Sequence, residues 1–112
     1  MDRLRPFTYS RAVVRHIFLW NVNPDDPDAG ARILDALNRL KDEPIPASSW
    51  ALGADVPPPG SGDSGGRWQY GLVCDYESWE QLQAYYSTPE HAAVIAEIVP
   101  LTAGRAVCDF EL

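Results

Sequence analysis

The feature that most constrains the fold is a run of β-branched and aromatic residues at Ala12–Val22 (AVVRHIFLWNV). Residues of these types favour an extended strand. Apolar side chains occupy both the even and the odd positions, so both faces of the strand are largely apolar. A strand of this kind must be covered on both faces. We therefore expect a layer of helices on one side and a second sheet or a partner subunit on the other.

The remaining segments divide into three helices and three further strands. Turn and capping signals place helices at about 28–41, 77–87 and 89–99 and strands at Ser48–Ala54, Arg67–Tyr76 and Arg105–Leu112. Ser78 and Gln81 have the spacing of a capping box, and Thr88 followed by Pro89 is typical of a new helix start. The order β-α-β-β-α(α)-β is typical of the ferredoxin-like α+β fold, an antiparallel sheet with helices on one face.

Right-handed crossovers place the first strand at the centre of this sheet, between the third strand and the last. Its second apolar face then predicts a homodimer packed sheet against sheet. With 112 residues, the chain has the length of a single domain. We assign that domain to residues 12–112, with residues 1–11 (MDRLRPFTYSR) as an N-terminal extension and the Pro/Gly/Ser-rich stretch 54–66 as a long hairpin connection.

Charge and composition exclude several functional classes. The net charge is −7, and an acidic body argues against a nucleic-acid partner or an anionic membrane surface. No apolar run is long enough to cross a membrane, and residues 1–11 lack the apolar core of a secretory signal. Cys74 and Cys108 have no metal-binding spacing, and next-but-one strands are too far apart for a disulfide. We expect a cytoplasmic protein without structural zinc, in which both cysteines are small core residues.

His91 is the first candidate for chemistry. It stands near the start of the third predicted helix and shares a face with Ile95 and Ile98, so it points inward. The positive end of the helix dipole favours a neutral imidazole, which can act as a general base. The alternative is a buried structural histidine that is hydrogen-bonded to the backbone.

Tyr85 and Tyr86 end the preceding helix. On a helical wheel Tyr86 falls near the centre of the apolar stripe and Tyr85 at its edge. We therefore predict that Tyr86 lies in the core and that Tyr85 presents its hydroxyl to a pocket. A purely structural role for Tyr85 is the alternative.

His16 and Asp109 lie on the first and last strands, which are predicted to be antiparallel neighbours. A polar residue within an apolar strand needs a partner or faces a cavity. An imidazole–carboxylate pair between His16 and Asp109 forms if the register agrees. Otherwise Asp109 faces water and His16 packs alone.

Three stretches resemble the stress-responsive α/β-barrel (Dabb) domain family: VRHIFLW (14–20), YESWEQLQAYYSTPEH (76–91) and VCDFEL (107–112). The resemblance covers about Val13 to Leu112 and implies a dimeric α/β barrel of ferredoxin-like subunits. Within the family, Tyr85 and His91 resemble the Tyr-x-x-x-Pro-x-His arrangement of polyketide cyclases of the olivetolic acid cyclase type. His16 and Asp109 resemble residues of the first and last strands of such enzymes.

This resemblance implies aldol or cyclisation chemistry on a polyketide-like or aromatic small molecule, with no metal and no organic cofactor. His91 would remove an acidic proton between two carbonyls, Tyr85 would orient the substrate, and Asp109 would fix the tautomer of His91 or His16. Two alternatives stay open. One is a non-catalytic, stress-responsive oligomer or binding protein, and the other is a cofactor-free monooxygenase or isomerase of the same superfamily.

Overall fold

The structure is a computed structural model that describes residues 12–42, 44–60 and 66–112. The predicted extension at 1–11 lies outside the described residues. The elements in chain order are β1 (Val14–Val22), α1 (Ala29–Asn38), β2 (Ser49–Ala54), β3 (Tyr70–Tyr76), α2 (Trp79–Tyr86), α3 (Pro89–Ile98), a short 3-10 helix (Val99–Leu101) and β4 (Thr102–Glu111). This order confirms the predicted α+β, ferredoxin-like arrangement.

The sheet has the strand order β2-β3-β1-β4, and each neighbouring pair is antiparallel. The prediction that β1 lies at the centre, between β3 and β4, is therefore confirmed. The strand starts differ from the prediction by one to three residues, and the difference is largest for β3, which begins at Tyr70 rather than at Arg67, and for β4, which begins at Thr102 rather than at Arg105. The pairing of β1 with β4 continues across a register shift at Asn21 and Val22, and this adds the residues before Arg105 to the strand.

One face of the sheet packs against the helices and forms the core. The even-numbered positions of the two central strands are buried here: Val14, His16, Phe18, Trp20, Leu72, Cys74 and Tyr76. α1 contributes Ile33 and Leu37, and α3 contributes Val94 and Ile98. The helices therefore cover one side of β1, as the sequence predicts. Within the described part of the chain, no helix is long and apolar enough to cross a membrane.

The opposite side of the sheet carries apolar residues that are half-buried or exposed in the single chain. The register places one set on this apolar open face: Ile17, Leu19, Ala51, Val73, Ala106, Cys108 and Phe110. Cys74 is a buried core residue as predicted, whereas Cys108 is exposed. The prediction for Cys108 is wrong because this residue pairs with Ile17, whose side chain points away from the helices.

Candidate active site

A cavity of about 380 Å³ lies between the helices and the β1–β4 edge of the sheet. A volume of this size suits a small organic molecule. Most of its wall is apolar, built from residues that include Phe18, Leu37, Leu72, Ile95 and Val107. Polar side chains enter it at five positions: His16, Tyr85, Tyr86, His91 and Arg105. Three of the four residues singled out from the sequence therefore line one cavity.

The break between α2 and α3 fixes the position of His91 relative to Tyr85. Thr88 caps α3, because its Oγ1 accepts a hydrogen bond from the backbone N–H of His91 at 3.0 Å. The same hydroxyl donates to the carbonyl oxygen of Tyr85 at 3.0 Å, which ties the end of α2 to the start of α3. As a result the rings of Tyr85 and His91 meet edge to face, with their centroids 4.8 Å apart.

The imidazole of His91 is half-buried, and burial lowers its pKa below the ordinary 6.5. The nearby His16 lowers this pKa further, because a second positive charge would be repelled. His91 is therefore neutral at pH 7. Neither ring nitrogen of His91 is hydrogen-bonded to any of the described residues, so one of them is free to accept a proton from a bound molecule.

His16, Asp109 and Tyr86 form a hydrogen-bonded polar cluster at the same cavity. His16 and Asp109 face each other across the β1–β4 register, and His16 Nδ1 lies 2.6 Å from Asp109 Oδ1. Tyr86 Oη donates to Asp109 Oδ2 at 2.6 Å and lies 3.0 Å from His16 Nδ1. A carboxylate that accepts from both neighbours holds an imidazole proton on Nδ1 of His16. Asp109 thus orients His16 rather than His91.

Tyr86 contradicts the helical-wheel prediction that it lies in the core. Tyr85 is 1% exposed, whereas Tyr86 is 36% exposed. α2 has eight residues and buries Leu82 and Tyr85, which lie three residues apart on one face. Trp79 is only half-buried, and its Nε1 donates to Glu111 Oε2 of β4. Trp79 therefore does not extend the buried stripe of α2 toward Tyr86. Tyr86 is therefore a residue of the site that the sequence reasoning assigned to the core.

Tyr85 nevertheless lines the cavity from its buried position. Among the described residues, its hydroxyl has no hydrogen-bond partner. Burial raises its pKa, so the group stays protonated and can donate to a ligand. Burial also raises the pKa of Tyr86, as does its hydrogen bond to Asp109. Both tyrosines are therefore hydrogen-bond donors at neutral pH, but only the hydroxyl of Tyr86 is already engaged.

We expect Tyr86→Phe to lower the free energy of unfolding by about 1 kcal/mol, the usual loss for one hydrogen bond to a partly exposed carboxylate. Tyr85→Phe is the matched control, because it removes a hydroxyl without a protein partner among the described residues. Urea unfolding of the two variants measures the difference. Equal stabilities would contradict the hydrogen bonding described for Tyr86.

The described residues contain no group of three or more His, Cys, Asp or Glu side chains that could hold a metal ion. The site is therefore characterised by imidazole, phenol, carboxylate and guanidinium groups around an apolar space.

Comparison with known proteins identifies the family of this chain. Residues 14–112 match the Dabb family model, the stress responsive A/B barrel domain. The chain is similar to a dimeric ferredoxin-like protein of unknown function from Thermobifida fusca, with 28% identity over 93% of this chain and 94% of that one and a TM-score of 0.75.

Two more distant structures share the fold. A hydroxynitrile lyase from Passiflora edulis is 15% identical over 92% of this chain and 95% of its own, with a TM-score of 0.77. A Dabb family protein from Mesorhizobium loti is 14% identical over 88% and 95%, with a TM-score of 0.69. No curated protein gives a significant match. Because the family model covers nearly the whole chain, the protein belongs to the Dabb, or stress-responsive α/β-barrel, family.

Proposed function

We propose that this protein is a cofactor-independent enzyme that removes a proton from a carbon next to a carbonyl and directs the resulting enolate into aldol or cyclisation chemistry. The observation that carries the proposal is the imidazole of His91, which has a lowered pKa and no hydrogen-bond partner among the described residues, in a largely apolar cavity. A base of this kind is poised for proton abstraction near neutral pH. A polyketide-like substrate, with carbonyls at alternate carbons, has protons acidic enough for such a base.

In the proposed aldol closure, His91 and Tyr85 have separate roles. His91 takes the proton from the carbon, and the electron pair of the broken C–H bond moves onto the carbonyl oxygen as an enolate. Tyr85 donates a hydrogen bond to that oxygen, since its hydroxyl is protonated and free of partners among the described residues. The enolate carbon then attacks a second carbonyl, and the imidazolium of His91 returns its proton to the new alkoxide.

The apolar walls support this chemistry. Phe18, Leu72 and Ile95 exclude water from the reacting groups, and hydrogen bonds to an enolate are stronger in a medium of low dielectric constant. His16 is held by Asp109 and Tyr86, which are positioning residues. The burial of His16 at 5% exposure keeps its ring fixed in orientation.

The comparisons support the proposal at the level of the fold. The Passiflora edulis structure is a hydroxynitrile lyase, so a lyase has been built on the same architecture. A shared fold hosts many activities, and the assignment to this chain depends on its own residues. A non-catalytic binding protein would need the cavity but not an unengaged imidazole within it.

We expect a distinct pH dependence if His91 is the base. Only the neutral imidazole accepts a proton, and its pKa lies below 6.5. The rate constant for proton abstraction will therefore be level around pH 7 and fall in acid, as pH drops through the lowered pKa. The measurement is exchange of the α-protons of a β-keto thioester into deuterium oxide, followed by NMR alongside a titration of the His91 ring. A rate that rises as pH falls below 6 would contradict the assignment.

A further inference from the structure

Arg105 is the cationic residue of the cavity lining, and it has no carboxylate partner among the described residues. Its Nη1 donates to Thr102 Oγ1 at 2.8 Å. The other described arginines each form an ion pair: Arg15 with Asp75, Arg32 with Asp26, Arg39 with Glu97 and Arg67 with Asp55. In a chain with a net charge of −7, Arg105 is thus unusual among the described arginines, since no described carboxylate pairs with it.

The guanidinium of Arg105 therefore keeps most of its five N–H donors for other partners. Its planar arrangement of donors matches a carboxylate or a phosphate, to which it binds through two parallel hydrogen bonds. Arg105 lies on the same strand as Asp109 and, like it, on the helix side of the sheet, where it pairs with Trp20. An anion bound there would lie inside the same cavity that contains His91.

The spacing along β4 gives the cavity two chemically different ends. Arg105 and Asp109 are separated by four residues, which is roughly 13 Å along an extended strand. Between them lies Val107, which pairs with Phe18 across the register. The cavity therefore has the guanidinium of Arg105 at one end and the imidazoles of His16 and His91 at the other, with apolar side chains between them.

We propose that the substrate of this site is an amphipathic anion, with a carboxylate or phosphate group bound by Arg105 and a medium-length apolar chain that lies over Val107 and Phe18. The far end of the chain reaches the imidazoles. The identity of the reacting group at that end rests on the proposed function, whereas recognition of the anion does not.

Ligand binding tests this assignment without turnover. Octanoate, octyl phosphate and octanamide have the same chain length and differ in the charge and shape of the head group. Isothermal titration calorimetry with the wild-type protein will show at least one of the two anions bound about tenfold more tightly than octanamide. Arg105→Gln will remove that preference. The ratio between octanoate and octyl phosphate tells whether the site is shaped for a carboxylate or for a phosphate.

Arg32→Gln is the matched control, because Arg32 lies on α1 outside the cavity lining, and this variant will keep the anion preference. The proposal is overturned if octanamide binds as tightly as both anions, if Arg105→Gln keeps the preference, or if none of the three ligands binds. A protein that shows the anion preference but exchanges no α-protons would refute the proposed reaction and leave the role of Arg105 intact.

Discussion

His91→Gln will slow the exchange of α-protons of a β-keto thioester by at least about 100-fold, the usual contribution of a positioned general base. Glutamine has a similar reach and keeps the backbone N–H that Thr88 Oγ1 accepts, so α3 retains its cap. Its amide does not accept a proton at neutral pH, and the basic function alone is lost. Exchange measured by NMR gives the rate, and urea unfolding checks that the fold persists.

Two further variants make this result specific. Glu90→Gln changes an exposed residue next to His91 in the first turn of α3, and it will exchange at the wild-type rate. His16→Gln alters the second imidazole of the cavity, which the polar cluster holds through Nδ1. An exchange rate within about threefold of the wild type for His91→Gln, together with a full loss for His16→Gln, would assign the base to His16 instead and refute the mechanism proposed above.

Val73→Arg will convert a dimer into a monomer. Val73 lies at the middle of the apolar open face, paired with Ile17 on one side and Ala51 on the other. Several structures with this fold are described as dimeric, and we expect the same face to be covered by a second copy here. A charge buried without a partner at such an interface costs several kcal/mol. Sedimentation velocity will show the wild-type chain at about twice 12.4 kDa and the variant at the chain mass.

The chain offers a matched control for this substitution. Val56 is 84% exposed and follows the end of β2, outside the residues that form the apolar open face, so Val56→Arg adds the same charge at a position that is not part of that face. That variant will remain dimeric. Circular dichroism must show native secondary structure in both variants. A wild-type chain that sediments as a monomer at micromolar concentration, or a dimeric Val73→Arg, would show that another surface is used.

The sequence was sufficient to predict the fold because its signals were local and mutually consistent. The element order, with right-handed crossovers, predicted a central first strand, and the structure places β1 between β3 and β4. The Ser78 and Thr88 hydroxyls accept backbone N–H groups three residues on, as their spacing indicated. These features depend on neighbours within a few residues, which a single sequence shows directly.

The site was only partly predictable, since its contacts join distant elements. The pairing of His16 with Asp109 depended on a register that no local pattern fixes. The helical wheel places Tyr86 in the core because it counts Trp79 as part of the buried stripe, whereas the residues that α2 buries are Leu82 and Tyr85. The sequence does not distinguish Arg105 from an ordinary solvent-exposed arginine, because a charged residue is common on an edge strand. Its proposed role in anion binding depends on two structural observations. Arg105 has no carboxylate partner among the described residues, and it lines the cavity.

The alternation of β4 has a consequence for how this protein can evolve. Arg105, Val107 and Asp109 serve the cavity, whereas Ala106, Cys108 and Phe110 belong to the opposite face. Insertion or deletion of one residue at the start of this strand would exchange the two sets, because successive side chains alternate between faces. The guanidinium and carboxylate would then project from the apolar side, and a phenyl ring would enter the cavity. Insertions and deletions in β4 would therefore disrupt both the cavity and the apolar open face. We expect substrate specificity to change instead by substitution at cavity-side positions such as Arg105 and Val107.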